Sequence, residues 1–133
     1  ICDLLHQHGQ ISRVLVASVH AGVLKRFRQV CPGVATSAGF SEALRFYLLG
    51  RGGLASLFSP SMQALQVPVT FKGLAVVPRR FVAAAHGRNL TVAVWTVNAE
   101  ETMRRLIGDG VDGIMTDYPD RLADIIEETR DGR

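Results

Sequence analysis

Cysteine is scarce in this chain. Cys2 and Cys31 are the two it has, far apart in sequence and in no CxxC spacing, so neither a disulfide framework nor a zinc site is expected. A reducing, cytoplasmic setting follows as the default. Long apolar runs are missing as well. None approaches the roughly 18 residues that a membrane-spanning helix needs, and the longest stretches, such as residues 90–95, have the length of a strand. No stable membrane insertion is expected, and the opening residues carry no secretory-signal pattern. Dense charge of one sign is also lacking. The formal net charge is +3, and the arginines and lysines are scattered, alternating with acids toward the C-terminus. Such charges make a solvated surface. They argue against a nucleic-acid partner, which asks for a denser basic stripe with aromatics between the charges.

What the chain does have is enough apolar residue, 47% of 133, for one domain with a real core. It also has a recurring order: a helical stretch, a short apolar strand, a turn. The second half is the clearer. Pro78 suits a first helical turn, because its missing N–H would be unpaired there. Phe81, Val82 and Ala85 recur at helical spacing, and Gly87 and Asn89 stop that helix. Residues 90–95 follow, apolar on both faces apart from Thr91, as in a parallel sheet covered by helices. Asn98 then reads as an N-cap, with Glu101 placed for a capping box. Met103, Leu106 and Ile107 form the inner stripe of the next helix, with Glu100–Arg104 and Glu101–Arg105 as outer i, i+4 pairs. Gly108 and Gly110 end it. Asp112 and Gly113 read as a turn leading into a strand over 111–116. Leu122, Ile125 and Ile126 mark a last amphipathic helix, with residues 129–133 expected to fray.

The first half repeats this order less cleanly. Residues 1–7 read as the end of a helix and 13–18 as a buried strand. Residues 22–30 read as a helix with Val23, Phe27 and Val30 inward. A weak strand at 34–37, a helix over 42–49, a loop or broken helix over 51–58 and a short strand at 65–69 complete the series. Pro68 limits the ladder of that last strand. Five strands separated by helical crossovers imply an α/β fold with a parallel sheet. An open doubly wound sheet and a (β/α)8 TIM barrel both fit. Five units at about 27 residues each leave the choice open on pattern alone.

The residues from Pro78 to Leu122 narrow it. Trp95-Thr96-Val97-Asn98 and Gly110-Val111-Asp112-Gly113-Ile114-Met115-Thr116-Asp117-Tyr118-Pro119 stand at the ends of successive strands. Together they resemble the C-terminal signature of the glycerophosphodiester phosphodiesterases. Upstream, residues 14–18 resemble an earlier strand of that family, with Val19 in place of its usual Phe. The resemblance is specific from about residue 68 and looser before it. It implies a partial TIM barrel, residues 1–133 forming one incomplete domain that corresponds to about strands four to eight. The chain starts at Ile1, which fits a fragment.

The resemblance also implies an activity. Family members are phosphoric diester hydrolases of lipid metabolism. They cleave a glycerophosphodiester to glycerol 3-phosphate and an alcohol, with Mg²⁺ or Ca²⁺ held by carboxylates. The family's His-Arg-Gly, Glu-x-Asp, His-Asp and Glu-x-Lys motifs do not occur here. His6 and His8 stand in other contexts, and His86-Gly87-Arg88 has the letters in another order at a helix end. No catalytic residue and no metal ligand is therefore assigned, and the chain alone is expected to be inactive and to hold no cation.

What the resemblance leaves is one wall of a pocket at the C-terminal ends of the strands. Trp95 is read as a substrate contact, its indole against the glycerol carbons, or as an aromatic cap on the core. Ser18 reads as a hydrogen-bonding group for substrate or for the backbone. Asn98 reads as an N-cap before a ligand, and Asp117 as a cap of the last helix or a positioner of a neighbour. An alternative is a non-catalytic barrel remnant serving as a binding or structural module, with two open sheet edges that favour assembly.

Overall fold

The computed structural model describes residues 1–71 and 73–131. Its organising element is a parallel ladder between β3 (Ala64–Pro68) and β6 (Thr91–Trp95), in register from Ala64 opposite Thr91 to Pro68 opposite Trp95. Alternation of side chains sends Leu65, Val67, Val92 and Val94 to one face, where all four are buried. The helices cover this face. Phe46 of α3 (Phe40–Arg51), Phe81, Val82 and Ala85 of α4 (Arg79–His86), Met103 and Leu106 of α5 (Glu100–Asp109) and Ile125 of α6 (Pro119–Asp131) close the core over it. Phe46 meets Phe58 and Phe81 edge-on at centroid distances of 5.2 and 5.4 Å.

Shorter strands dock on both flanks. β7 (Gly113–Ile114) pairs parallel with β6. On the other side β1 (Leu15–Val16) pairs parallel with β2 (Ala35–Thr36). β2 joins β3 through a bridge at Ser37 and Ala64 and through the Gln63 N–H to Thr36 carbonyl bond at 2.9 Å. The parallel strands thus follow one another in chain order, β1-β2-β3-β6-β7. A small antiparallel hairpin, β4 (Thr70–Phe71) with β5 (Leu74–Ala75), rises from the C-terminal end of β3. It turns at Gly73, whose φ of 78° suits glycine.

All five expected parallel strands are present, near 15–16, 35–36, 64–68, 91–95 and 113–114. Those on the flanks are shorter than expected because they have little partner surface. The hairpin was not expected. Helix α2 (Ala21–Val30) departs from its expected phase: Val23 and Val30 are exposed, and Leu24 is the buried residue. The reason is Arg28. Its Nε donates to Thr36 Oγ1 at 2.8 Å, its Nη1 to Glu42 Oε1 at 2.7 Å and its Nη2 to the Ser37 carbonyl at 3.1 Å. An inward arginine with this many partners turns the helix so that the two valines face water.

Four further expectations change. Cys2 and Cys31 are joined in a disulfide, tying α1 (Cys2–Gln7) to the end of α2. Helix packing brings together residues that sequence spacing keeps apart, and the cysteines no longer point to a reducing cytoplasm. The outer pairs of α5 are also re-partnered. Arg104 bonds Glu128 at 2.7 Å, because α6 lies alongside and offers a carboxylate, and Arg105 bonds Asp109, four residues on in the same helix, at 3.2 Å. Gly108 lies inside α5, and Gly110, in the left-handed region at φ 87°, ends it. Helix α6 runs on to Asp131, with Thr129 Oγ1 bonded to the Ile125 carbonyl, so the expected fraying does not begin at 129; residues 132 and 133 lie outside the described residues.

Asp112 does more than make a turn. Its Oδ2 accepts the Val92 N–H at 2.7 Å and lies 2.9 Å from Nε2 of His86, fastening the start of β6 to the approach of β7 and to the end of α4. Burial pushes this carboxyl up, but the Val92 N–H, the His86 hydrogen bond and the His86 charge outweigh it, and the pKa lies below the ordinary 3.8. Glu42 behaves alike. Burial raises it, while the Arg28 hydrogen bond, the Gly39 N–H, the Arg28 charge and the Ser61 hydroxyl bring it below 4.5. Depressed carboxylates contribute stability that is fully present above the unfolded value and lost as pH falls through the folded one. Urea midpoints are therefore expected to drop on acidification below about pH 4.5, with a shallower drop in Glu42→Gln. A second expectation concerns Gly39, where a Cβ would stand 2.6 Å from Ala21 Cα and 2.7 Å from Ala21 N. Gly39→Ala should cost about 1–3 kcal/mol in chemical denaturation, since two backbones must part to admit it.

Candidate functional site

The C-terminal ends of the parallel strands open on a cleft of about 580 Å³. Its floor comes from the strand ends: Ser18 after β1, Ser37 and Ala38 after β2, Gln66 and Pro68 of β3, and Trp95 closing β6. One wall is the exposed apolar stripe of α3, where Phe40, Leu44 and Leu48 recur every fourth residue. The facing wall is the hairpin, with Phe71 and Leu74. Phe40 and Phe71 approach to a centroid distance of 5.8 Å.

Trp95 and Ser18, proposed separately from the sequence, share this cleft. Trp95 is 42% exposed, so its indole is open to a ligand. A cis peptide links Trp95 to Thr96. Ser18 Oγ accepts the His20 N–H at 3.2 Å. This local turn shapes the loop into α2 and leaves the hydroxyl proton free to donate elsewhere. Among the described residues that line the cleft, Tyr47 alone carries a titratable group.

Asn98 and Asp117 come together beside it, after β6 and β7. Asn98 does not cap α5: the N-cap position is Ala99, with no side-chain bond. Its amide serves the neighbouring loop instead. Nδ2 donates to Asp117 Oδ2 at 2.8 Å, while Oδ1 accepts the Asp117 N–H and the Thr116 hydroxyl, each at 3.1 Å. An amide with a donor and an acceptor can satisfy both ends of such a loop, which an ionised aspartate could not. Asp117 thus accepts from Asn98, the positioning role foreseen beside the cap. Thr116 and Arg121 were not singled out from the sequence. Thr116 Oγ1 takes the Tyr118 N–H at 3.0 Å. Arg121 Nη1 donates to the Asn98 carbonyl at 2.6 Å, and its guanidinium lies 4.6 Å from the Tyr118 ring centroid. Their signal was the Thr-Asp-Tyr-Pro run itself, whose polar members close on a residue nearly twenty positions earlier.

A hard divalent cation asks for several oxygen ligands. Among the described residues one group of three His, Cys, Asp or Glu could converge on an ion, Cys2, His6 and Cys31. It offers sulfur and nitrogen, and α2 carries Cys31 to the opposite end of the sheet from the cleft. These donors do not fit Mg²⁺ or Ca²⁺.

Known proteins share this arrangement. The pattern of the glycerophosphoryl diester phosphodiesterase family matches residues 2–121. The chain is 31% identical over 130 residues to a glycerophosphodiester phosphodiesterase of Bacillus altitudinis, covering 93% of this chain and 47% of that protein. A Silicibacter pomeroyi crystal structure assigned to the same activity superposes with a TM-score of 0.72 at 27% identity, over 94% of this chain and 41% of that one. A glycerophosphodiester phosphodiesterase structure from Parabacteroides distasonis gives 0.70 at 20% identity, over 96% and 49%. The chain therefore spans about half the length of the relatives it matches.

The Asn98 network yields a stability test. Asn98→Ala leaves the Asp117 N–H and the Thr116 hydroxyl without their protein acceptor and, at this half-exposed site, should cost about 0.5–1.5 kcal/mol. Asn98→Asp, which sets a second carboxylate against Asp117, should cost at least as much at neutral pH. Urea denaturation of both variants checks this, and an unchanged midpoint in either would show the network to be slack.

Proposed function

The chain belongs to the glycerophosphoryl diester phosphodiesterase family, and we propose that it forms about strands four to eight of a (β/α)8 barrel in a phosphoric diester hydrolase. In this reading residues 1–133 are one incomplete domain. The whole enzyme cleaves a glycerophosphodiester to glycerol 3-phosphate and an alcohol. The observation that carries the reading is the cleft at the strand C-termini, where Ser18 and Trp95 converge from strands far apart in the sequence. Barrel enzymes place their sites at this end.

The roles divide by chemistry. The Trp95 indole lies against the glycerol carbons and offers its N–H to a hydroxyl. Ser18 donates to a substrate oxygen. Asn98 and Asp117 hold the two loops at the edge of the cleft and fix the approach to Trp95. The divalent cation, Mg²⁺ or Ca²⁺, would stabilise charge on the phosphoryl oxygens when bound by carboxylates. The one group of donors found among the described residues does not suit it, and in this reading its carboxylates and the acid–base groups lie in barrel units outside this chain. No helix among the described residues is long and apolar enough to cross a membrane, which is compatible with a small-molecule substrate met in water.

Replacing Trp95 with Ala in the complete enzyme tests the contact. A loss of about tenfold in kcat/KM, carried mainly by KM, is expected for an aromatic platform that binds ground and transition state alike. Unchanged kcat and KM would reduce Trp95 to a structural residue. The chain alone, given Mg²⁺ or Ca²⁺, should release no glycerol 3-phosphate from glycerophosphocholine. Turnover by the chain alone would defeat the assignment of the chemistry to the other units.

The alternative, a non-catalytic module, draws on the two sheet edges at β1 and β7, each paired on one side among the described residues. A complete polypeptide that bound glycerophosphodiesters without hydrolysing any of them, with either cation present, would favour it.

A further inference from the structure

The group formed by Cys2, His6 and Cys31 lies away from the cleft and has no part in the reading above. We propose that, once the disulfide is opened, these three residues form a soft-metal site for Zn²⁺, with water in the fourth position.

The placement is already close to what such a site requires. Helix α1 sets Cys2 and His6 four residues apart, on one face. Cys31, fully buried at the end of α2, comes within 5.6 Å of Cys2, Cα to Cα. The three ligand atoms lie within 4.8 Å of one another, and His6 Nδ1 is 3.6 Å from Cys2 Sγ. With Zn–S near 2.3 Å and Zn–N near 2.0–2.1 Å, the S-to-N edge of a tetrahedral site is about 3.6 Å. In the disulfide form the Cys2–His6 edge already has that length, and it is kept when Cys2 and His6 move together on their shared helix. The S-to-S edge would be about 3.8 Å, so the two sulfurs must part, and the half-buried Cys2 on the short outer helix can turn away from the fixed Cys31. His6 Nδ1 also lies 3.0 Å from the Cys2 carbonyl and exchanges that contact for the metal. Two thiolates and an imidazole select Zn²⁺ over the hard cations of phosphodiester chemistry.

The redox step balances with a dithiol as reductant. Two electrons pass from it to the Cys2–Cys31 bond, which breaks, while the reductant's own disulfide forms. Its two protons go to the protein sulfurs and leave to solvent as the metal binds. Disulfide and metal are therefore mutually exclusive states of one pair of sulfurs.

The test is a Co²⁺ titration of protein reduced with dithiothreitol and freed of it by anaerobic gel filtration. The expected result is one Co²⁺ per chain, with visible and thiolate charge-transfer bands of a tetrahedral complex, displaced by Zn²⁺. The oxidised protein should show no such bands. His6→Ala should weaken binding at least about tenfold, and Cys2→Ser should remove roughly half the charge-transfer intensity. Helix content of each variant, followed by circular dichroism, separates lost ligands from lost fold, and His6→Ala on the exposed helix leaves the buried cysteine in place. Absent bands in reduced wild-type protein, equal binding by the oxidised form, or unchanged affinity in His6→Ala would each overturn the proposal.

Discussion

The ladder between β3 and β6 is the constraint on which the rest depends. It alone runs for five residues on each side, and it turns Leu65, Val67, Val92 and Val94 to one face together. The inward apolar residues of α3 to α6, such as Phe46, Phe81, Met103, Leu106 and Ile125, settle there, because burying a large apolar side chain contributes on the order of 1.5–3 kcal/mol. The flanking strands are too short to hold themselves. They are fastened by side chains: Arg28 with Glu42 on one flank, and Asp112 with His86 and the Val92 amide on the other. Backbone pairing supplies the centre of the sheet, and charged hydrogen bonds supply its margins.

That division explains what could be read in advance. Strands and helices of the second half were legible because their periodicities are long and their stops are glycines with a mechanical reason, Gly110 above all. The hairpin was not, since two residues on each side carry no period. The phase of α2 was misread because a hydrophobic count favours Val23 and Val30, whereas a single well-partnered Arg28 decides the rotation. The disulfide escaped for a related reason: 29 residues of separation say nothing about two helix ends that the sheet brings together. Trp95 and Ser18 stood out because strand ends are where barrels keep their sites. Asn98 misled, because its local setting is that of a helix cap and its actual partners are distant in sequence.

The cleft and the cysteine cluster occupy opposite ends of the sheet and differ in chemistry. The cleft is apolar with a few neutral polar groups, suited to holding a carbon skeleton in place. The cluster is soft and redox-active. Neither provides the oxygen-rich, acid–base environment that a phosphodiester demands.

One close contact bears on how such a mouth can be diversified. Gly39 touches Ala21 backbone to backbone, and the Phe40 N–H reaches the Val19 carbonyl at 3.0 Å, so the loops after β1 and β2 are welded to each other. Lengthening either one would separate the two helix starts. A designer wishing to graft a new recognition loop onto this scaffold, or a lineage drifting toward a new ligand, would have to treat the first two loops as one fixed jaw.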